Sequence, residues 1–262
     1  MRFHRLIILL VILFFASFWW AGGNAILPAA TSFKSDLPLQ QTLTVSGHAA
    51  TFGSRLYRII FFKKAVAAKL APAKKDYVPL KNIPLPLQQA VIAVEDNRFY
   101  HHFGLDMEGI FRAALVNLQT GSVLEGGSTI TQQLVKNLFL SQEQTMGRKL
   151  EEVLLALDME LHYSKDEILE MYLNTIYFGS NAYGIGPASH IYFAKPPSSL
   201  NLAECALLAG LPNAPSIYSP YVNYAAAKQR QAVVLAAMVR NGYIGPSLAQ
   251  EARVAPLKLA RQ

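Results

Sequence analysis

The sequence contains little cysteine and little charge. Its 262 residues include one cysteine, Cys205, so an internal disulfide framework and a CxxC metal site are both excluded. Charged residues make up 16% of the chain, compared with about 25% in a typical soluble domain. Hydrophobic residues reach 52%, which excludes an intrinsically disordered chain. Only one long stretch lacks charge, which excludes a multi-span membrane protein.

The charge that is present is mostly positive. The chain carries 24 basic and 17 acidic residues, a net charge of +7. This excess favours an anionic partner, which would be nucleic acid, an acidic membrane surface or a phosphorylated substrate. The length fits one large domain or one domain with appendages.

The long uncharged stretch lies at residues 6–21, directly after the basic residues Arg2 and Arg5. Extended to residue 27, it predicts one transmembrane anchor at 6–27 behind a cytoplasmic tail at 1–5. The rest of the chain would then lie outside the cytoplasm, anchored to the inner membrane. Two alternatives stay open: a signal peptide cleaved near Gly23-Asn24-Ala25, and a buried soluble helix. Export argues against nucleic acid and favours an anionic lipid or lipid-linked phosphate as the partner.

The remainder of the chain predicts a mostly α fold. Residues 28–77 form a linker and a basic amphipathic helix over 54–71 with Ser54 as its N-cap. That helix would either lie on an anionic membrane surface or pack on the main domain, residues 78–262. Prolines 79, 84 and 86 separate the two segments, and Ser164 begins a capping box. Apolar residues at helical spacing predict helices over 88–95, 107–119, 129–140, 145–163, 165–176, 201–211 and 224–241.

The first candidate site is the segment 95–104, in which Glu95 and Asp96 end an apolar helix. A carboxylate at a helix C-terminus faces the negative end of the dipole. Beside apolar and aromatic groups its pKa should therefore be raised, which suits a general base or acid. The alternative is a solvated acidic turn paired with Arg98. The two histidines 101 and 102 lack a second His or Cys cluster that would support metal binding.

The second candidate site is a glycine-rich turn that leads into a helix at residues 126–137. Ile130, Leu134 and Leu138 define the predicted buried stripe. Free N–H groups at a helix start attract anions, and one cation and two amides share another face: Gln133, Lys136 and Asn137. The alternative is simple capping by Ser128 with a polar outer face. The spacing is not that of a Walker P-loop.

The third candidate site is Arg148-Lys149-Leu150-Glu151-Glu152 on the helix predicted over 145–163. The predicted core stripe of this helix is Met146, Leu150, Val153, Leu157 and Leu161. Glu152 would lie beside that stripe with Lys149 and Ala156, and Glu151 would point to solvent. The alternative for Glu152 is an ordinary i,i+4 ion pair with Arg148.

Together these segments resemble the peptidoglycan glycosyltransferase family, which polymerises lipid II and also forms the amino-terminal half of bifunctional penicillin-binding proteins. The resemblance covers residues 78–241, and the chain looks like the monofunctional, membrane-anchored form. No Ser-x-x-Lys occurs, so the acylating serine motif of a transpeptidase is absent. The ordered motifs are EDNRFYHHFG, GGSTITQQLVKN, RKLEE, ILEMYLNTIYFGSNAYGIGPAS and LAECALLAGLPNAPSIYSP.

The resemblance implies a lysozyme-like helical large lobe and a small, membrane-proximal jaw lobe with a cleft between them. The acceptor's GlcNAc 4-hydroxyl would attack the donor's MurNAc C1 with inversion, and undecaprenyl pyrophosphate would leave. Glu95 would be the catalytic base and Glu152 the second catalytic acid, which orients the donor site or binds a divalent ion. The resemblance implies substrate binding by Asp96, Phe99, His102, Arg112, Ser128, Gln132, Gln133, Lys136, Asn137, Arg148 and Lys149.

The family resemblance also bears on cofactors and partners. No cofactor is required, and the use of Mg²⁺ or Mn²⁺ at the pyrophosphate stays open. The expected partners are lipid II, lipid-linked glycan, the membrane and other cell-wall synthesis or division proteins. Phe111, Leu115, Leu118, Val123 and Leu124 would either dip into lipid or pack in the core. Two rival functions stay open: a hydrolase of the same glycan bond, and a non-catalytic membrane-tethered scaffold.

Overall fold

The computed structural model describes residues 58, 60–120, 127–140 and 145–260, which are mostly helical. Within these ranges there is no strand, and the β-type pairings are two isolated bridges, Phe103 with Leu105 and Tyr177 with Tyr183. The mostly α prediction is therefore confirmed. The helices are α1 (Phe62–Leu70), α2 (Leu85–Glu95), α3 (Met107–Thr120), α4 (Ile130–Phe139), α5 (Met146–His162), α6 (Lys165–Thr175), α7 (Ile185–Phe193), α8 (Leu202–Gly210), α9 (Pro215–Tyr218), α10 (Tyr224–Arg240) and α11 (Pro246–Val254).

The centre of the core is α8, whose residues 203–210 are all buried. It packs against α2 and α10, and α2 also contacts α10. A helix that is covered on every side must be apolar on every side, which explains the composition of LAECALLAG. A second group forms where α4 packs against α5 and α6. The end of α2 lies where these two groups of helices meet.

Side-chain caps fix where several helices begin. Ser164 and Glu167 form the predicted capping box at the start of α6. Asn201 and Glu204 form another at α8. Each box satisfies amide groups that the first turn leaves unpaired.

The alternative of capping by Ser128 is wrong, because the N-cap of α4 is the next residue, Thr129. The Thr129 hydroxyl accepts the backbone N–H of Gln132, and the Gln132 side chain accepts the N–H of Thr129. Ser128 instead accepts a hydrogen bond from Lys149 at 3.3 Å. Its hydroxyl therefore belongs to the surroundings of α5 rather than to the cap.

The seven helices predicted from residue 87 onward are all present, with ends that differ by a few residues. The largest difference is at α2, which starts at Leu85 because Pro84 is its N-cap and Pro86 lies in its first turn. Proline is tolerated there because the first turn has no partner for its amide. Three helices were not predicted, namely α7, α9 and α11. Each has a proline in its first turn, which weakens the helical signal of a short segment.

The predicted core stripe of α5 is wrong. Leu150 and Leu161 are exposed, whereas the buried face consists of Glu152, Leu155, Ala156 and Met159. Two apolar faces compete on this helix, and the face that also contains an acid is the one that packs. Neutralisation of Glu152 by neighbouring cations makes that burial possible.

Glu151 does not point to solvent as predicted. Its carboxylate accepts a hydrogen bond from Arg58 at 2.7 Å, and Arg58 also donates to the carbonyl of Phe139 at 2.9 Å. Arg58 thus fastens the segment before α1 to α4 and α5. Sequence spacing within one helix contains no trace of a partner that lies 93 residues away.

The basic segment before the main domain packs on the helices. Phe62 of α1 is buried against Phe139 and His162, and Lys63, Lys64 and Lys69 remain exposed. The helix predicted over 54–71 is not continuous, because Phe61 forms a turn. Ser54 and the predicted anchor at 6–27 lie outside the described residues. Among the residues that are described, no helix is long and apolar enough to cross a membrane.

A tight turn follows α6 and leads into α7. Its ends are joined by the amide of Gly184, which donates to the carbonyl of Ile176 at 2.9 Å. Gly184 has a φ of +83°, and a Cβ placed there would lie 2.5 Å from the carbonyl oxygen of Asn174. Both the conformation and the space therefore require glycine.

We predict that Gly184→Ala lowers the free energy of unfolding by about 1–3 kcal/mol or more, because the left-handed backbone and the contact with Asn174 both oppose a Cβ. Urea denaturation followed by circular dichroism measures this change. Gly147→Ala is the matched control, since Gly147 has open space around it and should shift stability by less than about 1 kcal/mol. Equal effects of the two substitutions would contradict the described turn.

Candidate active site

A cleft of about 1220 Å³ opens beside the end of α2. Its walls come from the 95–97 segment, from α3 and α4, from the end of α6 and the turn after it, and from α10. The predicted site residues that line it are Glu95, Asp96, Arg112, Ser128, Gln133, Lys136 and Asn137. The fold therefore brings residues from the first two predicted motifs to one surface.

Glu95 is the last residue of α2, and its side chain is 10% exposed. One carboxylate oxygen accepts a hydrogen bond from Gln133 Nε2 at 2.9 Å. The other lies 3.9 Å from Arg230 Nη2 and accepts no hydrogen bond from any described residue. Burial raises the pKa of Glu95 above its ordinary value, against smaller lowering effects of Gln133 and Arg230. The predicted direction of the shift is confirmed.

Gln133 connects Glu95 to the core. Its side-chain oxygen accepts a hydrogen bond from the Tyr172 hydroxyl at 3.0 Å, which fixes its amide nitrogen toward Glu95. Tyr172 is fully buried, and that burial raises its pKa well above the ordinary value. The phenol therefore stays a neutral donor. Both hydrogen bonds in the series Tyr172–Gln133–Glu95 are donated toward Glu95.

Asp96 joins the end of α2 to the start of α4. Both of its oxygens lie 3.0 Å from His102 Nε2, and Oδ2 also accepts the backbone N–H of Ile130 at 3.0 Å. Ile130 is the first residue of α4, so a buried carboxylate sits on the positive end of that helix. Glu95 is thereby held next to Gln133.

Glu152 lies in a buried cluster of charge on α5. Its carboxylate accepts hydrogen bonds from Arg148 at 3.0 Å, from Gln132 at 3.2 Å and from Lys149. The predicted Arg148–Glu152 pair is therefore present, as part of a larger network. Because Glu152 accepts hydrogen bonds from both cationic side chains, it restrains the positions of Arg148 and Lys149. These four residues do not line the cleft of the described structure.

Phe99 and His102, which were also predicted to contact substrate, lie behind the cleft. Phe99 is fully buried with its ring edge against His102, and the ammonium of Lys165 lies 4.5 Å from the centre of its ring. His102 faces Asp96. In this structure both residues support the 95–104 segment from inside.

The cationic wall of the cleft is formed by α3 and α4. Lys136 and Asn137 lie one turn beyond Gln133 on the surface of α4 that faces the cleft. Arg112 of α3 donates to the Asn97 side chain at 3.5 Å and lines the same cleft. An anionic group bound at this wall of the cleft would therefore be attracted by the positive charges of Arg112 and Lys136.

Sequence reasoning missed several residues that line the cleft, namely Tyr177, Tyr183, Asn213, Arg230 and Arg240. Arg230 of α10 is fixed by the Gly210 carbonyl at 3.4 Å and by the Tyr218 ring. An arginine in an alanine-rich helix resembles a solvated surface residue, and nothing in the local sequence marks it. The exposed tyrosines lie within a recognised motif but carry no catalytic pattern.

Metal ligands are sparse around the cleft. Across the described ranges, no group of three or more His, Cys, Asp or Glu side chains is placed to hold a metal ion. Glu152 already accepts from two cationic side chains. A divalent cation would therefore depend on phosphate and water ligands with few carboxylates, an arrangement that Mg²⁺ accepts.

The chain is similar to the amino-acid sequences of several known proteins. Penicillin-binding protein 1A of Aquifex aeolicus is 47% identical over 189 residues, which are 72% of this chain and 26% of that protein. Penicillin-binding protein 1A of Escherichia coli is 52% identical over 177 residues, 68% of this chain and 21% of that protein. This chain thus spans about a quarter of the length of these relatives or less.

A crystal structure of penicillin-binding protein 1A from Haemophilus influenzae aligns with a TM-score of 0.35 and 28% identity, over 50% of this chain and 16% of that one. The assignment to a family rests instead on a family model described as transglycosylase. This model matches residues 63–239, which are more than half of the chain. The matched range includes Glu95, Glu152 and the whole cleft wall up to α10. The chain belongs to the transglycosylase family, the peptidoglycan glycosyltransferases that its motifs resemble.

Proposed function

We propose that this protein polymerises lipid II into glycan strands. The 4-hydroxyl oxygen of the acceptor's GlcNAc forms a bond to C1 of the donor's MurNAc with inversion. The bond from C1 to the pyrophosphate oxygen breaks, and undecaprenyl pyrophosphate leaves. The observation that carries the proposal is a buried glutamate, Glu95, that lines a cleft beside a cationic wall.

Glu95 is proposed to take the proton of the attacking hydroxyl. Its carboxylate has free acceptor capacity, because one oxygen accepts nothing from the described residues and the other accepts one bond. A buried carboxylate with few donors has a high affinity for a proton. Proton transfer to a positioned side chain typically contributes about 10²–10⁴-fold to rate.

The leaving group already carries negative charge, so it needs neutralisation more than a strong acid. Lys136 on α4 and Arg112 on α3 line the cleft, and Lys149 donates a hydrogen bond to Ser128, which also lines it. Fixed charges aimed at developing negative charge are a large catalytic contribution. Glu152 would orient Arg148 and Lys149 through their ion pairs.

The membrane part of the proposal rests on two features. Residues 6–27 are proposed as the inner-membrane anchor, with residues 1–5 in the cytoplasm, 28–77 as linker and basic helix, and 78–262 as the extracytoplasmic glycosyltransferase domain. On α3, Phe111, Leu115 and Leu118 are exposed, so they do not pack in the core of the described structure. Val123 and Leu124, which were predicted with them, lie outside the described residues. We propose that they form the jaw lobe and contact lipid beside the helical large lobe.

The rival functions make different demands on the site. A glycoside hydrolase must protonate a poor sugar leaving group and has no need for phosphate-binding cations. A non-catalytic scaffold would need neither Glu95 nor Glu152. Lys136 lines the cleft with Glu95, and Arg148 and Lys149 pair with Glu152. These cations favour transfer from a pyrophosphate.

We predict that Glu95→Gln lowers the rate of lipid II polymerisation by about 10²–10⁴-fold, because the proton of the attacking hydroxyl loses its acceptor. Gel analysis of labelled lipid II with the purified full chain measures this. Glu152→Gln should also lose activity, since Arg148 and Lys149 lose their anchor. Glu251→Gln, on the exposed face of α11, is the control and should stay within twofold of wild type. Full activity of Glu95→Gln would refute the proposed base.

Arg230→Met should shift the acid limb of the pH–rate profile to higher pH. Arg230 lowers the pKa of Glu95, so its removal raises that pKa, and the base becomes ionised only at higher pH. The loss of rate should be larger at low pH than at high pH. Arg230→Lys keeps the charge and should restore the wild-type limb. Superimposable profiles for Arg230→Met and wild type would contradict the role of this pair.

We also propose that this chain has no transpeptidase activity and predict no covalent labelling by a fluorescent penicillin, because its 262 residues contain no Ser-x-x-Lys. Denaturing gel electrophoresis after incubation detects the acyl-enzyme, with Escherichia coli penicillin-binding protein 1A as the positive control. A labelled band from this chain that survives denaturation would show an acylating nucleophile that the sequence does not reveal.

A further inference from the structure

We propose that Arg58, in the segment before α1, is a positioning residue that aligns the cations of α5 for the transfer reaction. It does so by linking the end of α4 to the first two turns of α5, which carry Arg148, Lys149 and Glu152. The inference rests on the proposed function and deepens it, because it gives a part in catalysis to the segment before α1. Arg58 lies outside residues 63–239, the range that the family model matches.

The guanidinium of Arg58 contacts two helices at once. Its Nη1 donates to the carbonyl of Phe139, the last residue of α4, at 2.9 Å, and its Nη2 donates to the carboxylate of Glu151 at 2.7 Å. The last turn of a helix leaves carbonyls without an intrahelical partner, and a cation is favourable at that end of the dipole. The planar fork of an arginine holds two such acceptors in fixed directions.

The contact is shielded from solvent. The side chains of Arg58 and Glu151 are 13% and 17% exposed, and the guanidinium carbon lies 6.0 Å from the centre of the Phe139 ring. Partly buried ion pairs are screened by salt much less than exposed ones. Loss of either partner would leave the other charge poorly compensated, so this pair restrains α5 more strongly than an exposed surface pair would.

The first two turns of α5 have little apolar packing. Among residues 147–154, Glu152 alone is buried. The described apolar residues of α5 that are buried come later, at Leu155, Ala156 and Met159. The orientation of the first two turns therefore depends on polar contacts.

Two of these polar contacts hold α5 from different directions. Adjacent residues of an α-helix point about 100° apart. Glu152 accepts a hydrogen bond from Gln132 of α4 at 3.2 Å, whereas Glu151 accepts its hydrogen bond from Arg58. One contact alone would allow the helix to turn about its axis, and the second contact opposes that rotation.

A rotation of α5 would displace the cations that the proposed reaction uses. Arg148 donates to Glu152 at 3.0 Å, and Lys149 donates to Ser128 at 3.3 Å. Because Ser128 lines the cleft, the position of Lys149 relative to the cleft depends on the orientation of α5. Fixed charges contribute to catalysis when they are aimed at the developing charge. Arg58 thus affects the rate through α5, although it does not line the cleft itself.

The test is steady-state polymerisation of labelled lipid II by the purified full chain in detergent, where attraction to an anionic membrane does not contribute. We expect Arg58→Met to lower kcat at least about fivefold, because small misplacements of catalytic groups cost rate. Glu151→Gln should lower kcat to a similar extent. Lys69→Met is the matched control, since Lys69 is exposed on α1 and its loss should change kcat by less than about twofold.

The double variant Arg58→Met/Glu151→Gln tests whether the two residues act through one contact. Substitutions that remove the same contact are not additive, so the double variant should lose no more than about twofold beyond the more damaged single variant. A loss equal to the product of the two single losses would overturn the inference.

Hydrogen–deuterium exchange separates positioning from a general loss of stability. We expect Arg58→Met and Glu151→Gln to increase exchange in residues 146–152 and to leave α8 and α10 unchanged. An equal increase in α8 and α10 would show that Arg58 serves overall stability, and it would overturn the positioning role.

A kcat of Arg58→Met within about twofold of wild type would also overturn the role of Arg58. If Arg58→Met does not fold, Glu151→Gln tests the same contact from the side of α5. A wild type that does not polymerise lipid II refutes the proposed function instead. The exchange measurement then decides by itself whether Arg58 fixes the first two turns of α5.

Discussion

The carboxylate of Asp96 joins the end of one helix to the start of another, and the arrangement of the cleft depends on that joint. It accepts the first backbone amide of α4 and faces His102 from the other side. The interaction is strong because a buried anion meets both the free N–H groups and the positive dipole of a helix N-terminus. Glu95, its neighbour in sequence, is thereby set beside Gln133, one turn into α4.

Glu95 and Glu152 have opposite surroundings, and their proposed roles follow from this contrast. Glu152 receives three donors, two of them cationic, so its charge is compensated within the protein. Glu95 receives one neutral hydrogen bond and a more distant arginine, so its charge is poorly compensated. A compensated carboxylate organises its partners, whereas a poorly compensated one gains a proton readily.

The parts of this structure that could be predicted from the sequence are those governed by local rules. Helical spacing located α4 and its stripe of Ile130, Leu134 and Leu138, and an acid pair at a helix end identified Glu95. The predictions that failed concern contacts between residues that are far apart in the sequence. The packed face of α5 follows from ion pairs that make Glu152 buriable, and Arg230 enters the site from α10 more than a hundred residues later in the chain. Tyr177 and Tyr183 reach the cleft from a turn whose left-handed residues have no helical or strand pattern in the sequence.

The central claim is that burial raises the pKa of Glu95 and thereby suits its carboxylate to accept a proton. The most direct test is a pH titration of the Glu95 side-chain carboxyl carbon by ¹³C NMR, with the resonance assigned from its absence in Glu95→Gln. The account predicts a pKa above the ordinary value of a glutamate, in the direction that burial dictates. A midpoint at or below the ordinary value would contradict it, because Glu95 would then be a solvated or fully compensated carboxylate.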